Sequence, residues 1–342
     1  MLPANSAAIG SLSPSRLDRL ACPARVAFEQ MGDAGGATGG STAAALGTAV
    51  HGAMEHLLAG EAAGDAWKRA CDDLAVSGPD PRSLPGARRA AIRFKRQSPT
   101  LLAIVASTEP SSKDVEQVLR SADGELAGTP DLVLISEHGL VVVDHKTSVV
   151  AEDGVVRPHY ERQVRIYAGL AVEWHSRPVT RGVLLSTRQG AVEVEVTPGL
   201  VGQALAEARQ ARADYNSRAP GPQPASPGEE QCRWCPYRAR CDAFWEEVDP
   251  SWVEEVGECT RATVLGAPEV AADGRAALPV RTRSGPMPIG EQITIAEVPE
   301  QLVADVQAGD AVAVTGLHRR DGIPNVARWT QRSSLWRSPA SA

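Results

Sequence analysis

The chain has 342 residues, enough for two or three domains, and carries a net charge of −7. No apolar run approaches the roughly 20 residues of a bilayer span. Met1–Gly10 holds no basic residue and no long apolar stretch, so a secretory leader is not expected and the chain reads as cytoplasmic. At face value that charge argues against a nucleic-acid partner, but the distribution of charge matters more than its sum.

The predicted elements run as follows. Ser-Leu-Ser-Pro-Ser at 11–15 is a helix cap, and Arg16 to Gln30 has helical periodicity. Residues 32–42 are nearly all Gly, Ala, Ser and Thr and predict a flexible loop. A helix over 43–58 places Leu46, Val50, Met54, Leu57 and Leu58 on its apolar side and carries His51, with Glu55 four residues on. Further helical stretches are expected over 65–76 and 86–96, followed by less regular chain. Arg82, Arg88, Arg89, Arg93, Lys95 and Arg96 fall within a segment free of acids. They form either one basic groove or a solvated helix face.

A strand over 114–120 carries Glu116, which either supports a site or faces water. Residues 131–146 read Asp-Leu-Val-Leu-Ile-Ser-Glu-His-Gly-Leu-Val-Val-Val-Asp-His-Lys, two apolar runs around a turn signal. If Ser136 pairs with Gly139, Asp131 lies opposite Asp144, and period-two alternation puts Lys146 on the same face as Asp144. Two carboxylates and an amine then converge at the end of an apolar hairpin. A divalent cation between the carboxylates would compensate their burial and is suited to phosphodiester hydrolysis.

A helix over 157–173 presents Gln163 and Tyr167 at i, i+4, within reach of the lysine, a metal-bound water or a phosphate, or else as a polar rim. Strands over 182–186 and 191–196 and a helix over 200–218 follow. Residues 219–230, with four prolines and two glycines, read as a linker. Cys232, Cys235 and Cys241 are spaced as metal ligands, with Cys22, Cys71 or Cys259 as the fourth; zinc and a [4Fe–4S] cluster both fit. Beyond about Glu258, strands over 261–265, 276–283, 292–295, 311–317 and 325–331, with a helix over 299–307, match a small OB-type barrel, though SH3-like barrels give the same count. Arg281, Arg283, Arg319, Arg320, Arg328 and Trp329 are candidates for holding single-stranded DNA on it, or the barrel is a protein-docking module. No Gly-x4-Gly-Lys-Ser/Thr loop occurs, so no ATP motor of that type is expected.

Taken together, Cys22-Pro23, Gly47-x3-His51, Gly128-Thr129-Pro130-Asp131, Val143-Asp144-His145-Lys146-Thr147, Gln163-x3-Tyr167 and the cysteine triplet stand in an order that resembles the PD-(D/E)xK nuclease superfamily. The resemblance is to its RecB-like branch, which includes the nuclease domains of bacterial recombination helicase-nucleases and CRISPR-associated RecB-like exonucleases. It covers residues 11–245 and implies a restriction-endonuclease-like α/β core, a mixed central sheet flanked by helices. The helical insertion over about 60–110 and the carboxy-terminal barrel lie outside it. The division expected is a nuclease domain over 1–248 and an OB-like barrel over 249–342.

The resemblance also implies roles. His51, Asp131, Asp144 and the His145 carbonyl would hold Mg²⁺ or Mn²⁺. Lys146 would orient or activate water, Glu116 would be a supporting acid, and Gln163 and Tyr167 would flank the site. Cys22, Cys232, Cys235 and Cys241 would ligate a [4Fe–4S] cluster, in preference to zinc, that staples the ends of the nuclease domain. The activity implied is exonucleolytic cleavage of single-stranded DNA or DNA ends in repair or recombination, alongside a helicase or recombination partner. The competing expectation is a non-catalytic DNA-binding or adaptor subunit of a helicase-nuclease or CRISPR-adaptation complex.

Overall fold

The computed structural model describes residues 3–32, 42–320, 322–330 and 332–337, with the side chains of 42, 43, 320 and 324 outside the description. Most of the glycine-rich segment expected as a loop, 33–41, therefore lies outside the described residues, as does the side chain of Arg320. In chain order the helices are α1 (Pro14–Leu17), α2 (Pro23–Gln30), α3 (Thr42–Leu58), α4 (Ala63–Ala75), α5 (Ala87–Thr108), α6 (Pro158–His175), α7 (Pro198–Asn216), α8 (Glu229–Arg233), α9 (Asp242–Glu247) and α10 (Val253–Val256). The strands are β1 (Ser112–Val115), β2 (Leu119–Arg120), β3 (Ala127–Gly128), β4 (Leu132–Ser136), β5 (Gly139–Lys146), β6 (Ala151–Glu152), β7 (Val155–Val156), β8 (Val179–Ser186), β9 (Gly190–Val194), β10 (Glu258–Val264), β11 (Glu269–Val270), β12 (Arg275–Ser284), β13 (Gln292–Pro299), β14 (Ala311–Arg320), β15 (Ile323–Arg328) and β16 (Ser334–Arg337). Two compact units emerge: one holds Ile9–Asp18 and Gly40–Asp214, the other Met1–Ala8, Arg19–Gly39 and Tyr215–Ala342.

The first unit is built on a mixed sheet of order β1-β4-β5-β8-β9, in which only β5 and β8 run parallel. All five residues of β4 and seven of eight in β5 are buried, as expected of strands covered on both faces. Leu132, Leu134, Val141, Val143, Val183 and Leu185 share a core with Val50, Met54, Trp67 and Phe94 of α3, α4 and α5. Helix α6 packs against β5 and β8 and is the crossover between these parallel strands. The hairpin has the expected register, with Ser136 opposite Gly139 and Leu132 opposite Val143. Gly139 sits at φ +132°, and a Cβ there would lie 2.5 Å from the Pro178 carbonyl oxygen, so the turn requires glycine.

Three local expectations are corrected in these regions. The run 16–30 is not one helix: Pro23 forces Cys22 into extended backbone (φ −129°, ψ 91°) and α2 restarts after it. Helix α5 continues across Pro99 to Thr108, because its inward face (Phe94, Gln97, Leu101, Ile104) keeps burying past the proline. That packing outweighs the backbone bond lost to Lys95. Finally, the strand expected over 114–120 breaks: β1 stops at Val115, Glu116 adopts φ +50°, and its N–H donates to the Asp131 carbonyl at 3.2 Å. Glu116 therefore does not alternate with Val115 and Gln117 as a strand residue would.

The second unit contains a closed five-stranded barrel, β10-β12-β13-β15-β14 and back to β10, with β13 and β15 parallel. Val264, Leu278, Val280, Ile295, Val312 and Val314 fill it. β11 adds to β12, and β16 adds to β14. The helix expected over 299–307 is a single 3₁₀ turn, Glu300–Leu302. Burying Val303 and Val306 needs only that turn. Among the described residues no helix is long and apolar enough to cross a membrane.

Candidate active site

Three segments of the first unit bring four of the expected residues to one end of the β4–β5 hairpin. Asp131 immediately precedes β4, Asp144 and Lys146 lie on β5, and His51 projects from α3. The imidazole Nδ1 of His51 stands 2.9 Å from Asp131 Oδ1 and 3.1 Å from Glu116 Oε1. The other Asp131 oxygen accepts the backbone N–H of His145. Asp144 Oδ2 lies 2.6 Å from Lys146 Nζ, yet the angle is poor and that buried oxygen has no well-formed hydrogen bond.

The ligand atoms of His51, Glu116 and Asp131 fall within 4.8 Å of one another, the only such trio among the described residues. Glu116 thus closes the group expected around His51 and Asp131, and it reaches there through its left-handed turn. Asp144, the other expected carboxylate ligand, faces Lys146. A hard divalent cation suits this set: clustered carboxylates supply oxygens, an imidazole supplies nitrogen, and the Asp144 oxygen is buried without a good donor.

The electrostatics are those of a tightly packed cluster of opposite charges. Burial works against charge on His51, but the carboxylates of Asp131 and Glu116 outweigh it and lift the imidazole to about 10. Burial likewise resists ionisation of Asp131, yet His51 and the His145 N–H hold its carboxyl below the usual range. Glu116 is raised by burial despite His51. Burial pushes Asp144 up to about 6, and Lys146 only partly opposes it. Lys146 is desolvated too, but Asp144 and Asp131 keep its ammonium charged. His145 falls to about 4 through burial and is neutral, its Nε2 3.0 Å from Gln97 Oε1.

Gln163 and Tyr167 come together on α6: the amide donates to the phenol oxygen at 3.1 Å. Burial first, and the nearby carboxylates second, raise the Tyr167 phenol. The motif glycine Gly128 makes room for that ring, since a Cβ there would sit 2.6 Å from Tyr167 Cε1. Sequence reasoning missed three neighbours. Tyr160 lies beneath the lysine, with Nζ 5.5 Å from its ring centre and its hydroxyl 2.6 Å from Ser148 Oγ. Its i, i+3, i+7 spacing with Gln163 and Tyr167 was the available signal. Gln97 orients His145, and the Thr187 N–H donates to the Lys146 carbonyl at 2.9 Å; nothing local in the sequence marks either.

The second unit gathers the thiols. Cys22, Cys232, Cys235 and Cys241 line one small cavity sealed by Phe28 and Phe244. The Ser226 N–H points at Cys22 Sγ, 3.4 Å away. Burial pushes the Cys232 thiol up to about 11 and Cys235 to about 12, and raises Cys241, with the neighbouring sulfurs adding to each shift. Cys71 is buried in α4 and Cys259 in β10, outside this cavity. Among the barrel arginines, Arg319 is held by Glu258 and Glu291 at 2.8 and 2.6 Å, and Arg328 by Glu297 at 2.6 Å. Trp329 packs against the barrel core.

Against known proteins, the profile of the PD-(D/E)XK nuclease superfamily matches residues 11–242. No curated protein matches the chain. Among solved structures, the one described as the crystal structure of SSO0001 is 14% identical, covers 69% of this chain and 88% of that chain, and has a TM-score of 0.32.

Proposed function

The chain belongs to the PD-(D/E)XK nuclease superfamily, whose members are metal-dependent nucleases, and from that premise we propose a Mg²⁺- or Mn²⁺-dependent exonuclease acting on single-stranded DNA or DNA ends. The observation that carries the reading is the convergence of His51, Asp131, Asp144 and Lys146 at one end of a buried hairpin. His51, Asp131, Asp144 and the His145 carbonyl would hold the ion, with Glu116 in support. When bound, such an ion polarises water and the scissile phosphate.

The chain's own residues do the rest. Asp144 keeps the proton on Lys146 Nζ, so the ammonium is available to orient a water and to counter charge that develops on the phosphoryl oxygens. Tyr160 limits the lysine's swing from below. Gln163 and Tyr167 form a hydrogen-bonded rim to which a phosphate or the substrate's sugar can bond. Gln97 fixes the His145 ring and so steadies the strand between Asp144 and Lys146.

Cys22, Cys232, Cys235 and Cys241 would hold a [4Fe–4S] cluster. The support is the cavity that the four thiols share and the family resemblance that singled out these cysteines. In a reducing cytoplasm such thiols remain free to take up iron. On this reading residues 1–248 make a RecB-like nuclease domain closed by its cluster, and residues 249–342 an appended OB-like barrel, in a protein serving repair or recombination beside a helicase or recombination partner.

The test is end-labelled single-stranded and duplex DNA incubated with Mg²⁺ or Mn²⁺. Progressive release of short products, lost in Asp144→Ala and Lys146→Ala, is expected. Intact substrate, or equal cleavage by these variants, overturns the hydrolytic reading. Cleavage of circular single strands overturns the restriction to ends.

A further inference from the structure

A trough of about 830 Å³ runs along α5, floored by Arg88, Arg89, Arg93, Arg96 and Arg188 with Ile92 between them. Arg82 at its rim is neutralised by Asp72 and Asp80, at 2.8 and 2.9 Å. Among the described residues, none of the five floor arginines has a carboxylate partner. Arg93 is half-buried among them, and its guanidinium is pulled below its ordinary value by burial and by Arg188, Arg89 and Arg96. Folding has therefore gathered like charges at a cost, without an internal counter-ion.

The trough reaches the end of β5 that carries the site. Arg89, Arg93 and Gln97 recur at i, i+4, i+8 on α5, and Gln97 touches the ring of His145, which leaves β5 on the face opposite Asp144 and Lys146. From the other side, Arg188 follows Thr187, whose N–H holds the Lys146 carbonyl, and Ser186 pairs with Lys146 across β5 and β8. Two independent segments thus carry arginines to the end of β5.

We propose that this trough seats the phosphate backbone of the nucleic-acid strand whose scissile bond lies at Asp144 and Lys146. The inference rests on the reading of that site as a phosphodiesterase and specifies where its substrate runs. A phosphate backbone is the ligand that fits: it is a row of singly charged oxygens, and guanidiniums bind such groups in bidentate fashion. From Arg89 to Arg96 is about 10 Å of helix axis, long enough to meet more than one phosphate of a strand. Arg319 and Arg328 of the barrel, in contrast, are committed to Glu258, Glu291 and Glu297.

The experiment measures binding of a fluorescent 12-residue deoxythymidine strand in EDTA, by anisotropy, between 50 and 200 mM NaCl. The proteins are wild type, the trough variant Arg89→Gln/Arg93→Gln/Arg188→Gln and the barrel variant Arg281→Gln/Arg283→Gln. Each lost single-strand phosphate contact lowers the salt slope by about 0.7, so the trough variant should lose about 2 from the slope. Its affinity deficit at 50 mM should exceed that at 200 mM about 20-fold. Its melting temperature should not fall, because like charges are being removed. An unchanged slope in the trough variant, or the loss appearing in the barrel variant instead, overturns the proposal. If the slope falls as stated while wild type cleaves no DNA with Mg²⁺, the trough stands and the hydrolytic reading fails. If wild type cleaves and the slope is unchanged, the trough alone fails.

Discussion

Replacing Asp144 and Lys146 together by Leu and Met should make the ion-free protein more stable. Asp144 is buried, and its carboxyl stands at about 6 against an ordinary value of 3.8. Each pH unit of that difference is worth about 1.4 kcal/mol, so holding Asp144 ionised at pH 8 costs about 3 kcal/mol even with Lys146 at 2.6 Å. The sign follows from proton binding. Between pH 3.8 and 6 the folded state keeps a proton that the unfolded chain has released, so the cost is absent below 3.8, grows across that window and is complete above 6. Exchanging the pair for apolar side chains of similar volume removes that cost, and buried pairs replaced in this way are typically neutral or stabilised by about 1–4 kcal/mol. The expected gain is about 1–3 kcal/mol at pH 8, shrinking towards zero near pH 4. Hydrogen exchange of the β4 and β5 amides in EDTA reads it directly, since those amides report opening of this sheet and not of the other unit. Lys146→Met alone should go the other way, leaving the Asp144 carboxylate unpaired. Faster exchange in the double variant than in wild type at pH 8 would refute the reasoning.

Metal affinity should rise with pH. His51 keeps its proton up to about 10 in the ion-free protein and must release it to ligate, so Mg²⁺ binding should tighten close to tenfold per pH unit from 7 to 9. The same raised value means that His51 stabilises the ion-free fold fully below 6.5 and ceases to do so as pH climbs through 10. Calorimetry showing flat affinity from pH 7 to 9 would contradict this. Gly128→Ala should cost about 1–3 kcal/mol and lower turnover, because the new methyl would lie 2.6 Å from the Tyr167 ring and 3.3 Å from Leu170; thermal unfolding and cleavage rate check it. Cys22→Ser and Cys232→Ser should each lose iron and absorbance near 400 nm on metal analysis and spectroscopy. Retained iron in either variant would remove that cysteine from the ligand set.

The parts legible in the sequence are those fixed by local periodicity. Val, Ile and Leu on both sides of a Gly139 turn gave the hairpin register, and with it the shared face of Asp144 and Lys146. Alternation likewise located the five barrel strands. What stayed hidden depends on distant partners. Glu116 reaches His51 only because its backbone turns left-handed against the Asp131 carbonyl, and no strand pattern encodes that turn. Gln97 finds His145 across 48 residues of chain. Pro99 reads as a helix stop unless the buried face of α5 beyond it is known. Cys22 was distinguishable from Cys71 and Cys259 only by family resemblance; its place in the cavity with Cys232 depends on the helix break before Pro23 and the return of residues 224–226.

The account turns on one ion shared by groups from α3, β5 and the residue before β4. Crystals grown with Mn²⁺ and measured at the manganese edge decide it. The predicted result is a single anomalous peak within about 2.2 Å of His51, Asp131 and Asp144, with Asp144 drawn off Lys146 to meet it. A peak that leaves Asp144 on the lysine, or no peak at this hairpin, would contradict the account.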